Sequence, residues 1–317
     1  WSVLKNNLSF KIGINGYSYY RNHSMAVSPS LSQSLYSNRG NKTELSAFTK
    51  ISYSIKKITL FADLQYRTVN FSYKPNDGYN LNVKPITWNF INPKAGLTYK
   101  FNDNYSSYVS VGQMHKEPTR NDMFAGFDDI DTSNVSIIGD FTKVKPEQVI
   151  DYELGFRSSY NRFDLSINAF YMKFKNEIAA IGQLSYIGLP LRKNVNSSQR
   201  YGIELDYNLR LTKQLTLSGN GTYMKANIDS YTSDFDSIVH NNITPLLTPE
   251  WIFNQSISYG LFCNKINITA STRYISTQFL GNDNDKNLTI PEAFTFNGAI
   301  SILATKRISL SLLCNNI

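Results

Sequence analysis

The segment YGIELDYNLRLTKQLTLSGNGTYM, residues 201–224, alternates apolar and polar side chains on both sides of a short polar break. Tyr201, Ile203, Leu205, Tyr207, Leu209 and Leu211 share one parity; Gly202, Glu204, Asp206, Asn208 and Arg210 share the other. After Thr212-Lys213-Gln214, Leu215, Leu217 and Tyr223 stand against Thr216, Ser218, Asn220 and Thr222. Period two is the signature of a strand, so the stretch reads as two strands joined by a tight turn. Alternation alone fits a sheet with one face on a core and one in water. It fits equally a sheet with lipid on one side and a wet lumen on the other.

Strand length and the order of the connections decide between these readings. The same pattern recurs over 8–20, 43–55, 58–71, 88–101, 105–116, 149–160, 162–175, 251–262, 265–278, 293–304 and 307–317. With the opening pair this predicts about thirteen strands, most of about ten residues or more, the length of a tilted membrane-crossing strand. The connections at Lys56-Lys57, 102–104, Tyr160-Asn161, 212–214, Cys263-Asn264 and Thr305-Lys306 are tight. Those at 21–42, 72–87, 117–148, 176–200, 229–250 and 279–292 are long. Tight and long alternate along the whole chain, as in outer-membrane barrels with short turns on one side and long loops on the other. Sandwiches and propellers have no reason to keep that order. The prediction is all-β: an antiparallel transmembrane β-barrel. Ile203, Leu205 and Leu209 then face acyl chains, and Glu204, Asp206 and Arg210 face the lumen. Tyr17, Tyr19, Tyr108, Tyr223 and Tyr274, near strand ends, are expected in the aromatic girdles.

Composition agrees. The 317 residues are 41% hydrophobic and 14% aromatic, with 21 Tyr and 19 Phe. Mean hydropathy is −0.32, and no apolar run approaches the length of a membrane-spanning helix. The start, WSVLKNNLSF, has no basic segment followed by an apolar block, and the end, SLLCNNI, stops within a strand-like run, so the chain reads as a piece of something longer. A net charge of +8 raises nucleic-acid binding, but the Lys and Arg are dispersed through strands and loops, so no nucleic-acid partner is expected. Cys263 and Cys314 make neither a disulfide framework nor a metal-ligand spacing, and two incidental thiols are the plainer reading.

Several stretches resemble TonB-dependent outer-membrane receptors, especially those of Bacteroidetes-type bacteria. LFADLQYRTV (60–69) resembles their mid-barrel strand. NFINPKAGLTYKFNDNYSSYVSVGQMHKEPTRNDMF (89–124) is similar to their Asn-Pro segment and to an up-strand ending in an Arg/Lys-Glu-Pro element. VKPEQVIDYELGFR (144–157) resembles the strand carrying Pro-Glu and Tyr-Glu-x-Gly, and 168–207 the Tyr-Met strand, its loop and the Gly-x-Glu return. LSLLCNNI (310–317) looks like the start of the near-terminal Asn-Leu element. The resemblance implies about thirteen strands of a plugged barrel of about twenty-two, with the plug, the energy-coupling box and the closing strand outside this chain. It further implies a receptor in the bacterial outer membrane that binds a scarce nutrient and imports it actively, driven by the TonB–ExbB–ExbD complex through the plug region, with a surface lipoprotein as a further possible partner. For family reasons the ligand is expected to be a ferric siderophore, with cobalamin, haem and oligosaccharide as alternatives. A passive porin or an adhesive autotransporter-type barrel is the rival function.

Catalysis finds no support. His23, His115 and His240 are scattered, and none stands beside a nucleophile motif; no cofactor or metal is implied. His115 precedes Lys116-Glu117-Pro118 and the loop after it holds no histidine, which weighs against haem. Charged residues on or beside candidate lumen positions are Glu117, Arg120, Asp122, Lys145, Glu147, Asp151, Glu153, Arg157, Glu204, Asp206 and Arg210. Most read as a solvated lumen face, whereas Glu117 and Arg120, with Asp122, sit at a strand-to-loop junction beside Pro118. Asp128, Asp129 and Asp131 in GFDDIDTSN (126–134) lack the order of a calcium loop and read as a solvated acidic tip. Asp234, Asp236 and His240, in the loop 231–242, read as ligand-facing by position. The expected ligand-binding set is thus Glu117, Arg120, Asp122, Asp234, Asp236 and His240.

Overall fold

Alternating side chains commit a segment to pairing on both edges, and here they build one continuous antiparallel sheet. The computed structural model describes residues 2–5, 7–75, 81–185, 187–232 and 237–317. The strands are β1 (Ser2–Lys5), β2 (Leu8–Ala26), β3 (Ser34–Ile55), β4 (Ile58–Lys74), β5 (Ile86–Lys100), β6 (Tyr105–Lys116), β7 (Glu147–Tyr160), β8 (Phe163–Leu184), β9 (Pro190–Arg210), β10 (Leu215–Thr232), β11 (Val239–Ile243), β12 (Trp251–Leu261), β13 (Ile266–Ile275), β14 (Gln278–Phe279), β15 (Thr289–Ile290), β16 (Ala293–Thr305) and β17 (Ile308–Cys314). The large sheet has 15 strands, each paired with its neighbour in sequence from β1 to β10 and then through β12, β13, β16 and β17. β11 pairs with β10 off that path, and β14 and β15 form a small hairpin of their own. The thirteen expected strands are all present, and β1 adds one.

Register assigns the faces. Lys100, Ser106, Arg157, Ser166, Asp206, Asn220, Asn254, Arg273 and Thr295 form an unbroken row across β5 to β16. All nine line one concavity of about 1310 Å³, so the sheet curves with its polar face inside. One residue along, Ile167, Leu205, Gly221, Phe253, Tyr274 and Phe294 form the matching row on the convex side. Convex residues are bare: Ile203 is 51% exposed, Leu154 60% and Phe294 67%. A continuous apolar face of this breadth would aggregate in water and is at rest in acyl chains. That settles which solvent lies on each side of the 201–224 hairpin. No helix is long and apolar enough to cross a membrane; the crossing is by strands.

The tyrosines divide by the same register. Tyr223, Trp251, Phe253 and Tyr274 form a chain of ring contacts on the convex face, with Tyr223 and Trp251 centroids 4.3 Å apart, as a girdle requires. Tyr17, Tyr19 and Tyr108 do not join it. They have lumen parity, and the Tyr17 hydroxyl donates to Glu44 at 3.1 Å and the Tyr108 hydroxyl to Asn168 at 3.0 Å.

Two expected loops are largely strand. β2 and β3 run to Ala26 and from Ser34, and β8 and β9 to Leu184 and from Pro190, which leaves only short turns. These strands have 19, 22, 22 and 21 residues. A crossing takes about 9–11, so each hairpin stands well beyond the bilayer on the side opposite the tight turns. There both faces are wet, the reason for alternation lapses, and the sequence stops announcing a strand. At the tight-turn end, Lys56 and Asn161 adopt positive φ (53° and 54°), which Asn accommodates best among residues with a Cβ.

Candidate functional site

The 117–148 segment stays a loop and folds onto the wall beyond the bilayer. It carries α1 (Arg120–Met123), α2 (Val135–Ile138) and a 3-10 turn (Phe141–Lys143). Met123, Phe124, Ile130, Ile138 and Phe141 pack on Val69, Phe71 and Tyr73 of β4 and on Trp88 and Phe90 of β5. Phe124 stacks on Phe141 at 5.7 Å and meets the Tyr73 ring edge-on at 5.2 Å. Burying side chains of this size contributes about 1.5–3 kcal/mol each, enough to fix the loop in place.

Its polar contacts are equally specific. Glu117 is buried; Lys42 Nζ donates to it at 2.6 Å, and Arg67 Nη2 lies 3.1 Å away. Arg67 also holds Glu44 at 2.9 Å. Arg120 lies over the Phe124 ring at 4.8 Å, and its Nη2 donates to Asn38 Oδ1 at 2.9 Å and to the Asp128 carbonyl at 2.6 Å. Asp122 accepts from the Thr119 amide at 2.8 Å and hydroxyl at 2.7 Å, closing a capping box on α1. Glu117 and Asp122 are therefore engaged in holding the junction, and Arg120 in anchoring the loop.

Two of the three aspartates of the acidic tip, Asp128 and Asp129, dock on the wall instead of standing free in solvent. Asp128 faces His23 Nδ1 at 3.0 Å and Arg120 at 3.5 Å, and it accepts from the Tyr36 hydroxyl at 2.5 Å. Asp129 accepts from Tyr73 at 2.7 Å and Asn38 at 3.0 Å. Asp131 turns back on Ser133 and Asn134. The two carboxylates bind the wall because β2 and β3 extend far enough to meet them. Burial pushes His23 below the ordinary histidine value, with Arg120 adding to the effect and Asp128 opposing it. Burial likewise lowers Arg120 and raises the Tyr73 phenol.

A second cluster lies on the outer parts of β8 to β11. Ala179, Val195, Ile228, Tyr231 and Ile243 form a small core, and Glu177, engaged by Ser198 and Arg200, is buried below it. Asn282 donates to the Ala180 carbonyl at 2.8 Å and accepts from Leu246 N–H at 2.9 Å; Asn284 bonds both ways with Thr244 at 2.8 Å. Glu147, one of the expected lumen charges, caps Ile178 N–H at 3.0 Å. His240 lies on β11 opposite Tyr231, and its Nε2 is buried with no hydrogen-bond partner among the described residues. No hydrogen bond or ion pair among the described residues joins His240 to Glu117, Arg120 or Asp122. Asp234 and Asp236 lie outside the described residues.

Sequence reading missed Arg21, His23, Lys42 and Arg67 as members of the first cluster. The available signal was parity: Tyr17, Tyr19, Arg21 and His23 continue the lumen-facing set of β2 past the bilayer. Cys263 and Cys314 are free and exposed.

Comparison with known proteins accords with this architecture. The profile of the family described as TonB dependent receptor-like, beta-barrel matches residues 1–317. No curated protein matches the sequence. Among solved structures, the ferric yersiniabactin uptake receptor FyuA from Yersinia pestis aligns over 100% of this chain and 47% of its own, at 17% identity and a TM-score of 0.73. The copper transporter OprC aligns over 99% and 49%, at 13% identity and a TM-score of 0.76. The siderophore receptor PiuA from Acinetobacter baumannii aligns over 99% and 50%, at 15% identity and a TM-score of 0.72. The chain spans about half the length of the solved structures it matches. With a family match over every residue and a curved antiparallel sheet, wet inside and apolar outside, the chain belongs to the TonB-dependent receptor β-barrel family of the bacterial outer membrane.

Proposed function

We propose that this chain is the larger part of the barrel of an active importer. It captures a scarce nutrient at the long-loop end and passes it inward past a plug domain when the TonB–ExbB–ExbD complex supplies energy. The observation that carries the reading is the family match over the whole chain. The concave polar wall supports it, since a wide wet lumen can house a plug and pass a polar solute. The ligand we favour is a ferric siderophore. Two of the aligned structures are described as a ferric yersiniabactin uptake receptor and a siderophore receptor, and a third as a copper transporter. Arg120, Asp234, Asp236 and His240 are proposed to face the ligand from the outer loops, with Glu117 and Asp122 holding the junction that presents Arg120. A surface lipoprotein over the same loops fits this arrangement.

The test is uptake of radio-labelled ferric siderophore by cells whose other iron receptors are deleted. Saturable uptake with the complete gene, abolished by loss of TonB, is expected. Uptake indifferent to TonB would mean a passive barrel. TonB-dependent growth without iron uptake would keep the importer and exclude this ligand.

A further inference from the structure

We propose that the tight-turn rim of the barrel is a docking surface for anionic phospholipid, where a band of lysine and arginine holds the phosphate headgroups of the inner leaflet. The proposal needs only the barrel and its lipid-facing surface, and it stands apart from the importer reading.

The two ends of the barrel differ in charge. Six tight turns close the hairpins at 56–57, 101–104, 161–162, 211–214, 262–265 and 306–307. Lys56 and Lys57 fill the first and Lys306 and Arg307 the last, while Arg162, Lys213 and Lys265 stand in three between. Against these seven cations the six turns hold one carboxylate, Asp103. The connections at the opposite end hold, among the described residues, ten carboxylates and five cations. Cations dispersed along the sequence are thus gathered by the fold, because antiparallel hairpins bring every second connection to one rim. All seven are exposed, and none makes an ion pair among the described residues. Their one side-chain hydrogen bond among the described residues runs from Lys57 Nζ to the Phe101 carbonyl at 2.7 Å.

Height along the barrel selects the partner. Tyr99 and Tyr105 each stand one residue before the polar row at Lys100 and Ser106, and so have the parity of the convex face; Tyr160 shares it. Tyr99 meets Phe101 edge-on at 5.0 Å, and Tyr105 stacks with Tyr160 at 6.4 Å. These rings form a girdle where the apolar face ends, and the turns lie within a few residues of it. The cations therefore stand at headgroup height, where an anionic surface attracts each lysine or arginine near it. Neighbouring turns are two strand spacings apart, about 10 Å. That is about one Debye length at about 0.1 M salt, so their fields overlap along the rim. Anionic phospholipid supplies the missing negative charge at this level; a zwitterionic lipid has no net charge to supply. Short turns of outer-membrane barrels are periplasmic, which makes the leaflet the inner one.

The experiment is electron spin resonance of the complete receptor reconstituted in phosphatidylcholine vesicles, with spin-labelled phosphatidylglycerol and phosphatidylcholine as probes. The fraction of each probe slowed at the protein surface gives their relative association. At about 0.1 M salt phosphatidylglycerol should be favoured about threefold or more, and at about 1 M salt, where the Debye length falls to about 3 Å, the preference should vanish. The quadruple variant Lys56→Gln, Lys213→Gln, Lys306→Gln and Arg307→Gln should associate with both probes alike. None of these four side chains has a partner to lose among the described residues, so the barrel should fold as before. Lys173→Gln with Lys175→Gln, exposed convex cations on the outer part of β8, should keep the preference. Equal association of the two probes with the wild type overturns the proposal and leaves the rim to an anionic protein or polymer. So does a preference that survives high salt, that persists in the quadruple variant, or that the β8 variant removes. The measurement needs no transport. A receptor that imports and shows no lipid preference therefore defeats this inference alone, and one that shows the preference and does not import defeats only the transport reading.

Discussion

Replacing Glu117 by glutamine keeps its volume and removes the charge that faces both Lys42 and Arg67. Two cations then confront each other across a largely dry junction. With the partial exposure of Lys42 and Arg67 allowed for, the cost is about 1–3 kcal/mol. Urea unfolding of the refolded barrel measures it, and an unchanged midpoint would show the pairs to be idle. His23 gives a pH dependence whose sign is fixed by its environment. Its value is lower in the docked loop than the ordinary value of about 6.5, so between the two values the open loop binds more protons. The docking contribution is complete above about pH 6.5 and is lost as pH falls through the lowered value. Hydrogen exchange of amides 120–130, corrected for intrinsic rates, should therefore quicken on acidification; protection that stays flat would refute it. Glu117 and Arg120 were visible in sequence because Pro118 marks the end of a strand. Their partners Lys42, Arg67 and Asn38 were not, since ion pairs between strands so far apart follow from register, which a single sequence states only where one face meets lipid.

At the scale of elements, the loop and the strands hold each other by apolar contact. Phe124 is fully buried, and truncating it to alanine should cost the loop about 3–5 kcal/mol. The prediction is loss of exchange protection through 119–141 with β7 to β10 unaffected. Gly202 tests the sheet itself. A Cβ there would lie 2.1 Å from the Tyr223 carbonyl oxygen on β10, a backbone atom that cannot step aside cheaply. Gly202→Ala should cost about 1–3 kcal/mol and reduce the heat-modifiable folded band on gels; a normal yield would mean that the strands separate more readily than their register implies. The thirteen strands were legible because lipid enforces alternation over every crossing. The outer halves of β2, β3, β8 and β9 were not, because water on both faces removes that enforcement. Asp128 and Asp129 were misjudged as part of a free tip for the same reason: the wall they touch was itself read as loop.

For the whole molecule, the division into a polar concave face and an apolar convex face makes a sharp comparison possible. Ile203→Arg places a guanidinium in acyl chains at a cost of about 2–4 kcal/mol near the midplane. Thr222→Arg, on the lumen face opposite Glu204, should fold almost normally. Equal folding yields in lipid vesicles would reverse the assignment of the faces. The tall hairpins have a consequence at the cell surface. β2 and β3 carry their backbone ladder out to a turn, 27–33, that contains no lysine or arginine and exposes Leu31. Trypsin finds no site in that turn. A protease that does cut there severs one peptide bond and leaves some nineteen paired rungs intact, so the nicked receptor keeps its shape and its place in the membrane. Damage of that kind is silent until the chain is denatured, when two fragments part where one band had been.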